Sequence, residues 1–165
     1  MKNLLLYLLL IFTCYSCCPK EYDELNKDEL SWLPYEVGDT LYFKSNLGNT
    51  DKWVVRKRDL YEVSYGEGHT NCINIHYHAL HFDIYYEREQ LTFEMGIQRD
   101  KKNGDPIIYV EPPGYISQVK YISVSDSIVF ETEPHLSGII TYTIKKGFGL
   151  NKYVLKDSVE VYEKM

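Results

Sequence analysis

From Thr40 to the C-terminus, apolar residues recur at every second position rather than at every third or fourth. Leu91, Phe93, Met95 and Ile97 share one parity, and Thr92, Glu94, Gly96 and Gln98 share the other. A strand turns successive side chains to opposite faces, so this alternation predicts a half-buried strand. Ile140, Tyr142 and Ile144 alternate in the same way with Thr141, Thr143 and Lys145, and Val159 and Val161 flank Glu160. Further strand-like runs cover Thr40 to Lys44, Lys52 to Arg58, Tyr61 to Tyr65, Ile73 to Glu87, Pro106 to Val110, Ile116 to Val124 and Ile128 to Glu131. In the long run, Ile73, Ile75 and Tyr77 hold one parity, while Leu80, Phe82, Ile84 and Tyr86 hold the other. Keeping both sets inside predicts a bend or bulge near Ala79.

Turn residues separate these runs: Asn46 to Asn49, Gly66 to Gly68, Lys102 to Asp105, Pro112 to Gly114, Ser125 to Ser127 and Lys146 to Gly149. Connections this short force antiparallel neighbours. No segment beyond residue 31 carries a long helical period. The fold expected is all-β, an antiparallel meander forming a sandwich or a curled, partly closed barrel. The length of 165 residues fits one such domain, placed at residues 32–165.

The N-terminus has a different pattern. Leu4 to Phe12 are apolar or Tyr without interruption, and Lys2 is the lone charge before Lys20. Such a run matches the apolar region of a secretory signal peptide, at ~7–15 residues, and falls short of the ~20 that span a bilayer. Residues 1–16 are therefore expected to be a signal peptide. Residues 17–31 begin at Cys17 and are dominated by Glu21, Asp23, Glu24, Asp28 and Glu29. This stretch reads as a tether with little apolar surface to order it, holding at most one short helix.

Four cysteines do not make a disulfide framework here, because Cys14, Cys17 and Cys18 all lie in the leader and anchor region. Cys72 is expected to behave as a small buried apolar side chain. The formal net charge of -6 argues against a nucleic-acid partner, which needs a basic stripe to meet phosphates. Candidate chemistry is sparse. His76 and His78 lie two apart in a strand and share a face, and His81 rejoins that face if the phase changes near Ala79. A His-x-His pair with a third ligand is one way to hold zinc, which makes His76, His78 and His81 the candidate metal ligands and zinc the candidate cofactor. The alternative is a solvent-facing strip with no cofactor. Tyr85, Tyr86, Tyr109, Tyr115 and Tyr121 are candidates to line an aromatic groove for a glycan, lipid or peptide. Asp83, Glu87, Glu89, Glu131 and Glu133 show no spacing that identifies a catalytic carboxylate pair. No nucleophile elbow, phosphate-binding loop or dinucleotide fingerprint is present.

The segment Cys14-Tyr15-Ser16-Cys17-Cys18-Pro19-Lys20-Glu21 resembles the lipobox of bacterial lipoproteins, in which a small residue precedes the lipid-modified Cys. Ser16 before Cys17 fits that requirement, and Cys18 is the alternative. Lys20, Glu21, Asp23 and Glu24 resemble the export signal of surface lipoproteins of Bacteroidota. Leu33 to Asn46, with Gly38-Asp39 leading into a strand, and Tyr142 to Leu155 are similar to the opening and closing segments of small Bacteroidota lipoproteins. The resemblance implies an outer-membrane lipoprotein, periplasmic or surface-exposed, held to the membrane by its N-terminal lipid. It implies no enzymatic activity. The function expected is a noncatalytic binding or structural β-domain whose partner is an envelope protein or a glycan. The alternative is an envelope metal-binding protein or hydrolase centred on His76 and His78.

Overall fold

The computed structural model describes residues 20–21, 24–66, 73–100, 102–113, 118–122, 125–131, 138–156 and 160–165. The elements are β1 (Lys20–Glu21), α1 (Lys27–Leu30), β2 (Thr40–Ser45), β3 (Thr50–Gly66), β4 (Ile73–Tyr86), β5 (Leu91–Arg99), β6 (Pro106–Glu111), β7 (Gln118–Tyr121), β8 (Ser127–Glu131), β9 (Ile139–Lys145), β10 (Gly149–Leu155) and β11 (Val161–Lys164). Ten strands form one path in the order β7-β6-β5-β4-β3-β2-β11-β10-β9-β8, with every neighbouring pair antiparallel. The path joins its two halves where β2 meets the C-terminal β11. Its outer strands, β7 and β8, are consecutive in the chain and curl towards each other. The result is a nearly closed barrel, not a sandwich. Among the described residues no helix is long and apolar enough to cross a membrane.

Alternation decides what fills the barrel. Trp53, Val55, Leu80, Phe82, Ile84, Tyr86, Phe93, Met95 and Ile97 all point inward and belong to one buried cluster. The interior is densely aromatic: Trp53 stacks on Tyr86 at 4.5 Å between ring centroids, and Tyr153 on Tyr162 at 4.7 Å. The two runs expected at Lys52 to Arg58 and Tyr61 to Tyr65 are one strand, because β3 continues without a break alongside β4.

The phase change in β4 has a different cause from the bulge expected at Ala79. Pairing with β3 runs unbroken through Tyr61–Ala79 and Leu60–Leu80. The register shifts lie instead between Val55 and Lys57 and between Tyr65 and Gly66. Tyr77 and Ala79 are buried on the opposite face from Leu80, in a separate small cluster with Val63. Both faces of the strand thus carry apolar residues, each over a different stretch. β5 pairs with β4 only from Leu80 onward, so the β3–β4 hairpin projects past the barrel wall. β1 pairs in parallel with that projecting edge, Lys20 opposite Ile75 and Glu21 opposite His76. A true irregularity sits in β9, where Leu155 pairs with Ile139 and the next partner, Val154, pairs with Thr141. Ile140 is skipped, so Ile139 takes the fully buried place.

One end of the barrel is plugged by the segment that precedes β2. Asn26 caps α1: its side-chain Oδ1 accepts from the amides of Asp28 and Glu29 at 2.9 and 3.0 Å, and Glu29 Oε2 accepts from the Asn26 amide at 2.9 Å. A four-residue helix cannot stand alone. Tertiary contacts hold this one. Arg99, the last residue of β5, grips Glu29 with both prongs, Nη1 to Oε1 at 2.8 Å and Nη2 to Oε2 at 2.9 Å. Lys146 pairs with Asp28 at 2.6 Å, and Gly147 donates its amide to the Ser31 carbonyl at 2.8 Å. Leu25, Trp32, Leu33 and Tyr35 are buried in the main core. Gly149 leaves the space for Tyr35, since a Cβ there would lie 2.0 Å from the phenol oxygen. The acidic stretch is therefore no free tether from Glu24 onward, and ordered structure begins before residue 32. The reason is specific counter-charge, Arg99 and Lys146, together with the apolar residues that follow.

Candidate functional site

The opposite end of the barrel holds a polar network. Asp51, the second residue of β3, has the same parity as Trp53 and Val55, so it points inward at the rim, and its side chain is only 4% exposed. Tyr86 ends β4, Tyr153 lies in β10, and both point at the same carboxylate. Tyr86 Oη donates to Asp51 Oδ2 at 2.9 Å, and Tyr153 Oη donates to the same oxygen. Arg88, in the turn Glu87–Gln90 between β4 and β5, places Nη2 2.8 Å from Asp51 Oδ1. That Nη2 also donates to Tyr162 Oη. Tyr162 in turn donates to Glu160 Oε1 at 2.8 Å, and the Asn49 side-chain amide donates to that oxygen at 2.7 Å.

The electrostatics follow from burial. Desolvation, with the Asp51 carboxylate close by, pushes the Tyr86 and Tyr153 phenols well above the usual range, so both remain proton donors. Desolvation, followed by the bond to Glu160, also raises Tyr162. Glu160 is held below the usual carboxylate range, first by the Asn49 amide and then by the Ser45 hydroxyl. The Asp51 and Glu160 carboxylates are thus hydrogen-bonded by donors on β2, β4, β10, β11 and two turns. Hydrogen bonds to an ionised group contribute about 1.5–3 kcal/mol each, which is how the network tolerates a buried carboxylate.

Above this network lies an open cleft of about 530 Å³ lined by Tyr42, Thr50, Asp51, Lys52, Glu87 and Arg88. Tyr42 is on the outer parity of β2, directly across from Lys52, and is half exposed. Lys52 Nζ pairs with Glu87 Oε1 at 2.7 Å, which raises the ammonium pKa. The cleft can hold a ligand by hydrogen bonds and by contact with the Tyr42 ring.

A second, smaller constellation lies on the outer wall. His81 Nδ1 is 2.8 Å from Tyr109 Oη, and His81 Nε2 is 2.9 Å from Asp83 Oδ1 and 3.9 Å from Glu94 Oε2. Tyr109 is raised by burial first and then by its bonded neighbour Tyr61. Gly96 makes this arrangement fit, because a Cβ there would lie 2.5 Å from the Tyr109 ring. The resulting notch of about 180 Å³ is lined by Tyr61, His81, Glu94, Gln98, Tyr109 and Glu111.

The candidates drawn from sequence are scattered by this geometry. His78 is half-buried, and its Nδ1 has no hydrogen-bond partner among the described residues. His81 lies three residues on in an unbroken strand and so faces the other side, which divides the expected trio of His76, His78 and His81. The backbone of His76 pairs with Ser64, and its side chain lies outside what is described. Among the described residues no group of three His, Cys, Asp or Glu side chains is arranged to hold a metal. Tyr85 and Tyr86 are neighbours on opposite faces: Tyr86 is inside, and Tyr85 lies under the Arg56 guanidinium at 3.3 Å from its ring centroid. Tyr109 is on the outer wall, so among the described residues Tyr86 is parted from Tyr85 and Tyr109. Tyr115, Cys14, Cys17, Cys18, Cys72, His69, His135, Glu133 and the Tyr121 side chain lie outside the described residues. Glu89 and Glu131 are exposed, and Glu87 belongs to the cleft.

Asp51 and Arg88 were not singled out by sequence. A usable signal was present, since a carboxylate at Asp51 occupies the core parity of Trp53 and Val55 and so requires a buried partner. A barrel with a buried Asp–Arg–Tyr rim and a cleft above it is the class this geometry defines. No protein family, no curated protein and no solved structure matches the chain.

Proposed function

We propose that this protein is a lipid-anchored module of the cell envelope, an outer-membrane lipoprotein that binds a partner or ligand without converting it. The observation that carries the reading is the placement of β1. Lys20 and Glu21 pair with the hairpin that projects from the plugged end, whereas the cleft lies at the other end. Cys17 precedes Lys20 by three residues, a reach of about 10 Å when extended. A lipid on Cys17, or on Cys18, then holds the plugged end near the membrane and turns the cleft away from it. The charged groups lining the cleft are bound to one another, an arrangement suited to holding a ligand by hydrogen bonds.

The partner is an envelope protein or a glycan, and the acidic balance disfavours nucleic acid. The metal-centred alternative loses His81 as a third ligand, because His78 and His81 face opposite sides, whereas His76 keeps the parity of His78. Intact mass of the protein extracted from membranes tests the anchor. The expected mass is that of the chain from Cys17 or Cys18 plus acyl groups, with release into the soluble fraction when both cysteines are replaced by Ala. A chain that still begins at Met1 contradicts the reading.

A further inference from the structure

The Arg88 guanidinium is fixed but incompletely used. Its Nη2 corner is committed to Asp51 and Tyr162 and its carbon lies 5.0 Å from the Tyr162 ring centroid, while Nη1 and Nε make no hydrogen bond among the described residues. The side chain is 32% exposed and forms part of the cleft wall. Asp51, nearly fully buried beneath it, acts as a built support that holds the fork in place and cancels its charge. The neighbouring Lys52 is cancelled by Glu87. The four charged groups of the cleft therefore sum to zero, in a chain whose net charge is -6. An anion meets no excess positive charge here, and a cation no excess negative charge.

A neutral ligand rich in hydroxyls fits this surface better. Each hydroxyl both donates and accepts, and the cleft offers donors on Arg88 and Lys52 beside acceptors on Glu87 and Thr50. The half-exposed Tyr42 ring adds a flat apolar face with a polar tip, matched to the C–H face of a pyranose. We infer that the cleft over Asp51 and Arg88 binds a neutral oligosaccharide. The inference rests on the proposal that this cleft is the protein's contact surface.

The test uses the full mature chain in detergent micelles, isotopically labelled, titrated with cellohexaose, maltohexaose, laminarihexaose and mannohexaose, with hexagalacturonate and inorganic phosphate as charged controls. At least one neutral hexaose is expected to shift the amides of Thr50, Lys52 and Arg88. Tyr42→Ala is expected to weaken that binding about tenfold without altering the fold, the loss of one ring contact. Arg88→Lys keeps a cation on Asp51, loses the fork, and weakens binding as well. Silence of these amides towards every neutral hexaose at about 10 mM overturns the inference, as does a response to the charged probes alone. A photo-crosslinking residue in place of Tyr42, used in intact cells, separates the two readings. If it captures a protein while no sugar binds, the cleft remains the contact surface and the glycan class falls. If it captures nothing and no sugar binds, the binding role itself falls.

Discussion

Each end of the barrel carries an arginine paired with a buried carboxylate, and the two are used differently. At the plugged end Arg99 and Glu29 are each only 10% exposed, and the guanidinium is filled: two carboxylate oxygens plus the carbonyls of Glu24 and Gly104. At the cleft end Asp51 is buried as deeply, yet Arg88 reaches the surface with one corner bonded, its guanidinium carbon 5.0 Å from the Tyr162 ring centroid, and Nη1 and Nε without a hydrogen bond among the described residues. A saturated fork is a clamp. A fork held at one corner can still meet a ligand. The comparison teaches that a buried ion pair does not by itself mark a site, and that the count of unused donors separates the two roles.

Removing the clamp is expected to have the largest effect. Arg99→Ala leaves Glu29 buried without its counter-charge, a loss of about 3–5 kcal/mol measured as a lower urea midpoint. It also frees the segment from Glu24 to Trp32, read as faster amide exchange there. Arg88→Ala should cost less, about 1–3 kcal/mol, because Tyr86 and Tyr153 still donate to Asp51 and water reaches the rim. Equal losses at the two sites would break the comparison.

Stability against pH gives a third, intermediate effect. The phenols of Tyr86, Tyr153 and Tyr162 at the cleft end and Tyr35 at the plugged end are all raised, chiefly by burial. An unfolded phenol ionises near ~10, so their contribution is intact below that pH. It is lost above it, where the unfolded chain ionises first. Glu160 acts in the opposite sense: its folded pKa is depressed, so its contribution is present above about pH 4 and fades as pH falls below that value. Urea midpoints across pH 3–11 should therefore give a plateau with two falling limbs. Asn49→Ala removes the side-chain amide that donates to Glu160 and should soften the acid limb alone. The smallest stability change is expected for Tyr42→Ala, within about 0.5 kcal/mol, since the ring is half exposed and lies outside the buried core. A large loss there would make Tyr42 part of the framework rather than of the cleft.

Most of the fold was legible because period-two alternation survives wherever a strand has one wet and one dry face. Leu91 to Ile97 and Tyr142 to Ile144 are examples, and each strand-like run coincides with a strand over its described residues. A curled, partly closed barrel was one of the two forms expected; the strands that join its halves were not legible, because the pairing of β2 with β11 is a contact between the two ends of the chain that no local pattern encodes. The phase change at Ala79 implies a bulge only where a strand has a single buried face. Tyr77 and Ala79 are buried on the other face, in the hairpin that leaves the barrel. The Asn26-x-x-Glu29 box was visible in the sequence, but the acidity around it pointed to a tether, and the counter-charge that orders it comes from Arg99, seventy residues on. The same distance problem hid the rim: the core parity of Asp51 signals a buried partner but does not name it, and the pairing with Arg88 exists only once β3 and β4 align.

The proposed anchor sets an orientation, with the plugged end towards the membrane and the cleft end away from it. Leu47, in the β2–β3 turn at the cleft end, and Phe148, in the β9–β10 turn at the plugged end, are both exposed and suit a reporter. With trifluoromethyl-phenylalanine at one position or the other, the lipidated protein would be reconstituted in vesicles carrying a gadolinium-headed lipid, and fluorine relaxation measured. The account predicts strong enhancement at position 148 and little at position 47. Equal enhancement, or the reverse order, would contradict it.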